Sequence, residues 1–259
     1  MGLLEKARDL LARRIEERSL DRSLPIAVRP LSPEEAIGSI ADDSFPIRRG
    51  RERVIEAEFQ GCRGQAFTDR PASWTGTIED LLGLDLGKIA ARAVFTAGLN
   101  AVLLSLGGAA GTVHCRDEDP GRCGPEIARV TEERFGRVSV GLIGLQPAIL
   151  RALAERFGAA RVFCVDLNPD NIGKVRFGVT IWDGGLDLLR LTRLCRVGLA
   201  TGSSIVNGTL DGIVEAFRRE RKALLVYGNT ISGAAALLGL DRLCPYGRTP
   251  QPEKEQIAF

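Results

Sequence analysis

The chain has 259 residues with 44% hydrophobic content, enough for one large domain or two smaller ones with a substantial core. Its 35 Lys and Arg stand against 33 Asp and Glu, and the basic clusters at Arg13 and Arg14, at residues 48–53 and at residues 218–222 are interleaved with Glu. A balance of +2 gives no reason to expect nucleic acid or an anionic membrane as partner, and no apolar run is long enough to span a bilayer.

The first stretch, MGLLEKARDLLARRIEERS, reads as an amphipathic helix with a stripe of Leu3, Leu4, Ala7, Leu10, Leu11 and Ile15. It lacks the apolar centre of a signal peptide, so a cytoplasmic protein with reduced thiols is expected. Pro25, Pro30 and Pro33 break up the chain that follows. Residues 36–40 and 53–59 then read as two strands of an antiparallel hairpin, with RRGRE as its turn. After a bend at residues 61–71, Thr77 with Asp80 three residues on marks a helix start. The segment KIAARAVFTAGLNAVLLSL, residues 88–106, is nearly free of charge and predicts a helix buried on both sides, between two domains. Asn100 interrupts it, and a buried amide needs partners. We expect its face to turn toward the second domain and bond to a turn there or to a ligand. The GGAAG run at 107–111 sets the predicted boundary: an α+β domain over 1–110, then an α/β domain over 111–259.

Residues 138–168 form one strand, turn, helix, strand unit. The apolar run 138–143 ends at Gly144, Pro147 opens a helix closed by Gly158, and 162–165 is the next strand. Two strands joined by a crossover helix are parallel. Further strands are predicted at 179–182, at 197–200 and in ALLVYG, with a helix over 186–195, which makes a parallel sheet the economical architecture. The tail after Arg248 reads as disordered or docked on a partner.

Ligands bind such sheets beyond the carboxyl ends of the strands. There the sequence places Gly144 and Gln146, then Asp166 and Asn168, then Thr201, Gly202, Ser203, Ser204, Asn207 and Thr209, and finally Gly228 and Thr230. Hydroxyls and backbone N–H groups at a helix start suit phosphate or carboxylate, although capping by Ser203, Ser204 and Asn207 explains half of them without a ligand. Asp166 stands where an acidic residue receives ribose hydroxyls, or it caps the next segment together with Asn168. The turn G-L-I-G-L-Q-P is not a full dinucleotide fingerprint, and there is neither a P-loop nor a G-x-S-x-G elbow.

A second constellation is HCRDEDPGRC. His114 is the one histidine, Cys115 adjoins it, and Cys123 precedes a helix expected to begin near Pro125, whose N-terminus would favour a thiolate. Imidazole and thiolates together suit a transition metal ion, with a fourth ligand from Cys62, Glu126 or a partner subunit. Against this, neighbouring side chains on an extended strand point apart. Cys164 and Cys195, inside apolar runs, read as core.

The segments AGLNAVL (97–103), HCRDEDPGRC, VGLIGLQP (140–147) and above all TGSSIVNGT (201–209) resemble the heavy-metal chelation family. The resemblance covers residues 36–247. It implies an enolase N-terminal-like α+β domain joined to a Rossmann-like domain, a cleft between them, a homodimer, and a role in handling a metal or a metal chelate. At the final strand the chain departs from members with a G-P-[ST] turn, having Gly228, Asn229 and Thr230 instead. The leading reading is therefore a protein that binds, and modifies or simply holds, an anionic or metal-chelating small molecule in that cleft. The alternatives are a metal-binding or delivery protein without turnover that uses His114, Cys115 and Cys123, and an S-adenosylmethionine- or nucleotide-dependent transferase.

Overall fold

The computed structural model describes residues 1–38, 52–117 and 119–250, and two sheets organise them. The first is antiparallel, with β1 (Pro25–Pro30), β2 (Arg53–Phe59), β3 (Cys62–Thr68) and β4 (Trp74–Thr77) in the order β3-β2-β1-β4. The prolines bracket β1 rather than interrupt it, because both stand at its ends, where a missing N–H is tolerated. Helix α1 (Leu3–Glu17) buries Leu4, Ala7, Leu11 and Ile15, with Leu3 and Leu10 half-buried.

Over its described residues, 36–38, the strand expected at 36–40 does not form. Ser32 and Glu35 make a capping box, with Pro33 at the helix start, and residues 33–37 become helix α2 (Pro33–Ile37). Ala36 thereby covers Val54 and Leu31, so β2 is buried at Val54 as well as at Ile55 and pairs with β1 and β3 instead. The expected RRGRE turn lies outside the described residues apart from Glu52. Thr77 and Asp80 do form a capping box, opening α3 (Ile78–Leu82).

Helix α4 (Ile89–Ser105) fulfils the expectation of burial on both sides: every residue from 93 to 104 is buried. One core runs through it, from Ile55, Ala57 and Phe59 on the first sheet to Val165, Ala200 and Val226 on the second. Asn100, fully buried, donates from Nδ2 to the carbonyls of Gln65 (3.0 Å) and Thr230 (2.9 Å) and accepts at Oδ1 from the Gly233 N–H (2.7 Å). The amide thus ties β3 to the loop beyond the second sheet.

That second sheet contains β5 (Val140–Ile143), β6 (Val162–Asp166), β7 (Val175–Arg176), β8 (Val179–Asp183), β9 (Val197–Thr201), β10 (Ala223–Tyr227) and β11 (Arg242–Leu243). Their order is β11-β10-β9-β5-β6-β8-β7, and all neighbours are parallel except β7 and β8. Successive strands leave β5 on one side and return through β9 on the other, so the topological switch lies between β5 and β9. Helices α5 (Asp119–Phe135) and α6 (Pro147–Phe157) cover one face around Leu142, Leu150 and Leu199. The other face meets α7 (Leu188–Leu194), α8 (Ser204–Asn207), α9 (Leu210–Arg219) and α10 (Ser232–Leu238), which join the core shared with α4. Among the described residues no helix is long and apolar enough to cross a membrane.

Candidate functional site

The turns at the carboxyl edge are knitted to one another. Gly144 has φ +88, and a Cβ there would stand 2.5 Å from Thr201 Cγ2, so the turns after β5 and β9 touch only because residue 144 is glycine. The Gly144 carbonyl accepts from the Tyr227 hydroxyl (2.8 Å). Asp166 accepts from the N–H of Leu145 (2.6 Å), the N–H of Asn168 (2.8 Å) and the amide of Asn171 (3.1 Å). Its oxygens thus hold the β5 and β6 turns together, and the bond from the Asn168 N–H caps the segment after β6. Gln146 accepts from the Ile149 N–H (2.7 Å) and caps α6, while Asn168 accepts from the Asp170 N–H (3.0 Å).

The turn at 201–209 is also closed on itself. The Gly202 N–H donates to the Tyr227 carbonyl (2.8 Å), and the N–H groups of Ile205, Val206 and Asn207 donate to the Gly202 and Ser203 carbonyls. Few N–H groups are left to cradle an anion. Ser204 donates to the Thr201 carbonyl (2.6 Å), and Asn207 accepts from both the N–H and the hydroxyl of Thr209. Ser203 makes no capping bond; its hydroxyl pairs with that of Thr201 at 3.3 Å. Arg92, the cation nearest Gly208, donates to the carbonyls of Val206 (2.6 Å) and Leu86 (3.0 Å).

Opposite this edge stands the end of the first sheet. The Phe67 N–H donates to the Thr230 hydroxyl (3.1 Å), and Asn229 reaches the Thr112 carbonyl (3.4 Å), so Thr230 and the Gly228 turn serve the junction between sheets. The register pairs Arg53 with Thr68 and so sets Glu52 beside Asp69. Burial raises the Glu52 pKa, and the carboxylates of Asp166 and Asp69 raise it further. Tyr227 is raised as well, first by burial, against the hydrogen bond with Thr201 and with help from Cys164, Asp166 and Glu52. Glu52 and Tyr227 were absent from the residues expected at the site. Nothing in a basic run such as RRGRE singles out its glutamate; only the β2–β3 register and the meeting of the two sheets do so. Two hollows of about 390 and 380 Å³ lie elsewhere, between α5 and α6 and beside Ser232 and Arg242, and neither is lined by Gly144, Asp166 or Thr201.

The His114 segment departs from expectation in two ways. Helix α5 begins at Asp119, so Cys123 sits a turn inside the helix and not at its N-terminus, and burial pushes its thiol up instead of down. Cys115 is likewise pushed up to about 12. Among the described residues, no three His, Cys, Asp or Glu side chains are placed to hold a metal ion, so His114, Cys115 and Cys123 are not a preformed metal site. The reason is local. The His114 Nδ1 is engaged by the Cys115 carbonyl, the Cys115 sulfur lies 4.0 Å from Nε2, and the ring packs edge-on against Phe67. Glu126 is engaged by Arg129 (2.7 Å), and Cys62 is buried at the start of β3. Cys164 and Cys195 lie in the core as expected.

With two sheets, a switch point and these turns in place, the likeness to other proteins can be located on the fold. Residues 128–240 match the family model described as "Putative heavy-metal chelation", DUF364. The DUF364 match runs from within α5 past α10 and so takes in the parallel strands β5 to β10 with the turns around their switch. A DUF364 protein of unknown function from Pyrococcus horikoshii is similar in structure, with a TM-score of 0.52 at 17% identity over 88% of this chain and 79% of that one. Another, from Desulfitobacterium hafniense DCB-2, gives 0.46 at 14% identity over 72% of each. The first likeness shows the α/β fold. No curated protein matches the chain.

Proposed function

We propose that the protein binds a small molecule where the two sheets meet, and that this ligand carries a metal ion, as a chelate does, rather than being a simple anion. One observation carries the choice. Among the described residues the charged groups bearing on Glu52 are carboxylates, Asp166 from the second sheet and Asp69 from the first, and together with burial they hold Glu52 above the usual carboxylate range. Such a site repels a further negative charge, whereas an arriving cation favours the ionised Glu52 and releases its proton. Most N–H groups of the 201–209 turn, those of Gly202, Ile205, Val206, Asn207 and Thr209, are already bonded and offer an anion little in compensation. Thr201 and Ser203 supply hydroxyls for neutral contacts. The description of the family matched by residues 128–240 supports the same reading, a role in heavy-metal handling.

This reading includes a division into an enolase-like domain over 1–110 and a Rossmann-like domain over 111–259, a homodimer, and a cytoplasmic location. Strand order supports the Rossmann-like part: numbered from β5, the parallel strands run 3-2-1-4-5-6. Calorimetric titration with Ni(II) citrate and with metal-free citrate, in buffers of different ionisation enthalpy, tests the proposal. The metal chelate should bind with release of protons, and the more so the lower the pH, as linkage to a raised carboxyl requires, and Glu52→Gln should diminish that release. Tighter binding of metal-free citrate, or unchanged proton release in Glu52→Gln, would overturn it.

A further inference from the structure

The hollow of about 380 Å³ beside Arg242 opens where α4 ends, and its walls are residues 107–110, Ala235 and Ala236 of α10, and Leu240. The GGAA run makes the space: Gly107, at φ +70, turns the chain away from the helix with its N–H on the Leu104 carbonyl, and the small residues after it leave the hollow unfilled. At one end stands Arg242, half-buried on β11. Its Nε donates to the Gly228 carbonyl (2.9 Å), Nη1 to that of Ala110 (2.9 Å) and Nη2 to that of Gly111 (2.7 Å). Those carbonyls fix the guanidinium without neutralising it. Among the described residues no carboxylate pairs with Arg242, and Asp241, its neighbour in sequence, is held by Arg134. One N–H remains unused on each terminal nitrogen. The backbone N–H groups of Ala109 and Ala110 are likewise unbonded among the described residues, and the bond to the Ala110 carbonyl sets the guanidinium against that stretch of chain.

We propose that this hollow binds an organic carboxylate with a compact apolar body, its oxygens on the free N–H groups of Arg242, Ala109 and Ala110 and its body against Ala236 and Leu240. Guanidinium and carboxylate pair through charge-assisted bonds that are stronger than those between neutral groups, and a planar fork fits two oxygens at once. A clamp on loop carbonyls accounts for the bonds Arg242 makes, but not for an unneutralised charge facing an open hollow. The glycine and alanine walls disfavour a polyanion, whose further charges would lose water there and gain no partner. The seam between the sheets favours the opposite charge, and neither Glu52 nor Asp166 lines this hollow. The GGAAG run, which the sequence offers as a domain boundary, thereby gains a binding role through Arg242, a residue 132 positions from Ala110 that only the fold brings to it.

Amide NMR spectra of the full chain, titrated with benzoate as the probe, test the site. The N–H signals of Ala109 and Ala110 should shift saturably, and benzamide, a neutral molecule of the same shape, should bind at least about tenfold more weakly. Arg242→Gln should weaken benzoate by about tenfold or more. Because that change also releases the loop carbonyls, Ala236→Phe serves beside it: the position is exposed on α10, so the ring should fill the hollow and block benzoate at an unchanged melting temperature. Glu52→Gln should bind benzoate as the wild type does. Equal affinity for benzamide, wild-type affinity in Ala236→Phe, a loss of binding in Glu52→Gln, or no saturable shift up to about 10 mM benzoate would each overturn the proposal.

Discussion

Replacing Asn100 by leucine keeps side-chain volume while removing the polar tie between the sheets. The amide serves the carbonyls of Gln65 and Thr230 and the N–H of Gly233, at 3.0, 2.9 and 2.7 Å, in a fully buried position. Leucine leaves that N–H without an acceptor and each carbonyl short of one donor. An orphaned buried N–H costs about 1–3 kcal/mol, and a carbonyl that keeps a second lone pair for other partners costs less, so the sum is about 3–5 kcal/mol. That is a large share of the roughly 5–15 kcal/mol that holds an ordinary domain together. Asn100→Asp is expected to lose more, because it keeps the acceptor for Gly233 but sets an anionic oxygen against two carbonyls. Urea unfolding followed by circular dichroism measures both variants. Stability of Asn100→Leu within about 1 kcal/mol of wild type at an unchanged m-value would refute the idea that these bonds matter.

Two more perturbations probe local physics. Burial lowers the His114 pKa from 6.5 to about 4, against the pull of the Cys115 carbonyl. An unfolded chain binds a proton below about 6.5 that the folded chain refuses until about 4, so stability is intact above that window and should fall by about 2 kcal/mol between pH 7.5 and pH 5. His114→Gln should flatten this dependence in denaturant titrations, and an equal slope in both proteins would contradict it. At Gly64 a Cβ would stand 2.4 Å from the Ala101 nitrogen and the Ala97 oxygen, backbone atoms of α4 that cannot rotate away. Gly64→Ala should therefore cost about 3 kcal/mol or more, as overpacking does. Gly136→Ala, with φ +74 but open space around it, should cost only about 1–2 kcal/mol. Equal losses of melting temperature in the two alanine variants would refute the contact argument.

Strong local signals were legible in the sequence. The Thr77 capping box, the uncharged α4 and the strand, turn, helix, strand unit at 138–168 stand where their patterns put them, because each depends on short-range chemistry that tertiary contacts reinforce. The failure at 36–40 has the same origin read the other way. Ser32, Pro33 and Glu35 form a helix start that outweighs the apolar residues behind it, and no alternation signal competes within so short a stretch. At the site, the strand ends were legible but not how their polar groups are used. Asp166 and Gln146 look free in sequence, yet they hold turns and caps, while Glu52 gains its place from the β2–β3 register, which pairs its neighbour Arg53 with Thr68, 15 residues away.

The junction of the sheets is a shared core and not a hinge, and this bears on any ligand held there. Leu99 and Leu103 of α4 belong to the same buried cluster as Phe59 on one side and Val165 and Val226 on the other. Parting the sheets would expose both faces of that helix, strip Asn100 of its partners and break the bond from Phe67 to Thr230. Buried leucine and phenylalanine side chains are worth about 1.5–3 kcal/mol each, so opening by even a few such residues costs as much as a micromolar ligand returns on binding, about 8 kcal/mol. On the proposed reading a ligand would therefore meet the Glu52 and Asp166 carboxyls in nearly the arrangement they already have. For the same reason the raised Glu52 pKa belongs to the resting protein, and on the proposed reading no rearrangement of the sheets has to precede binding.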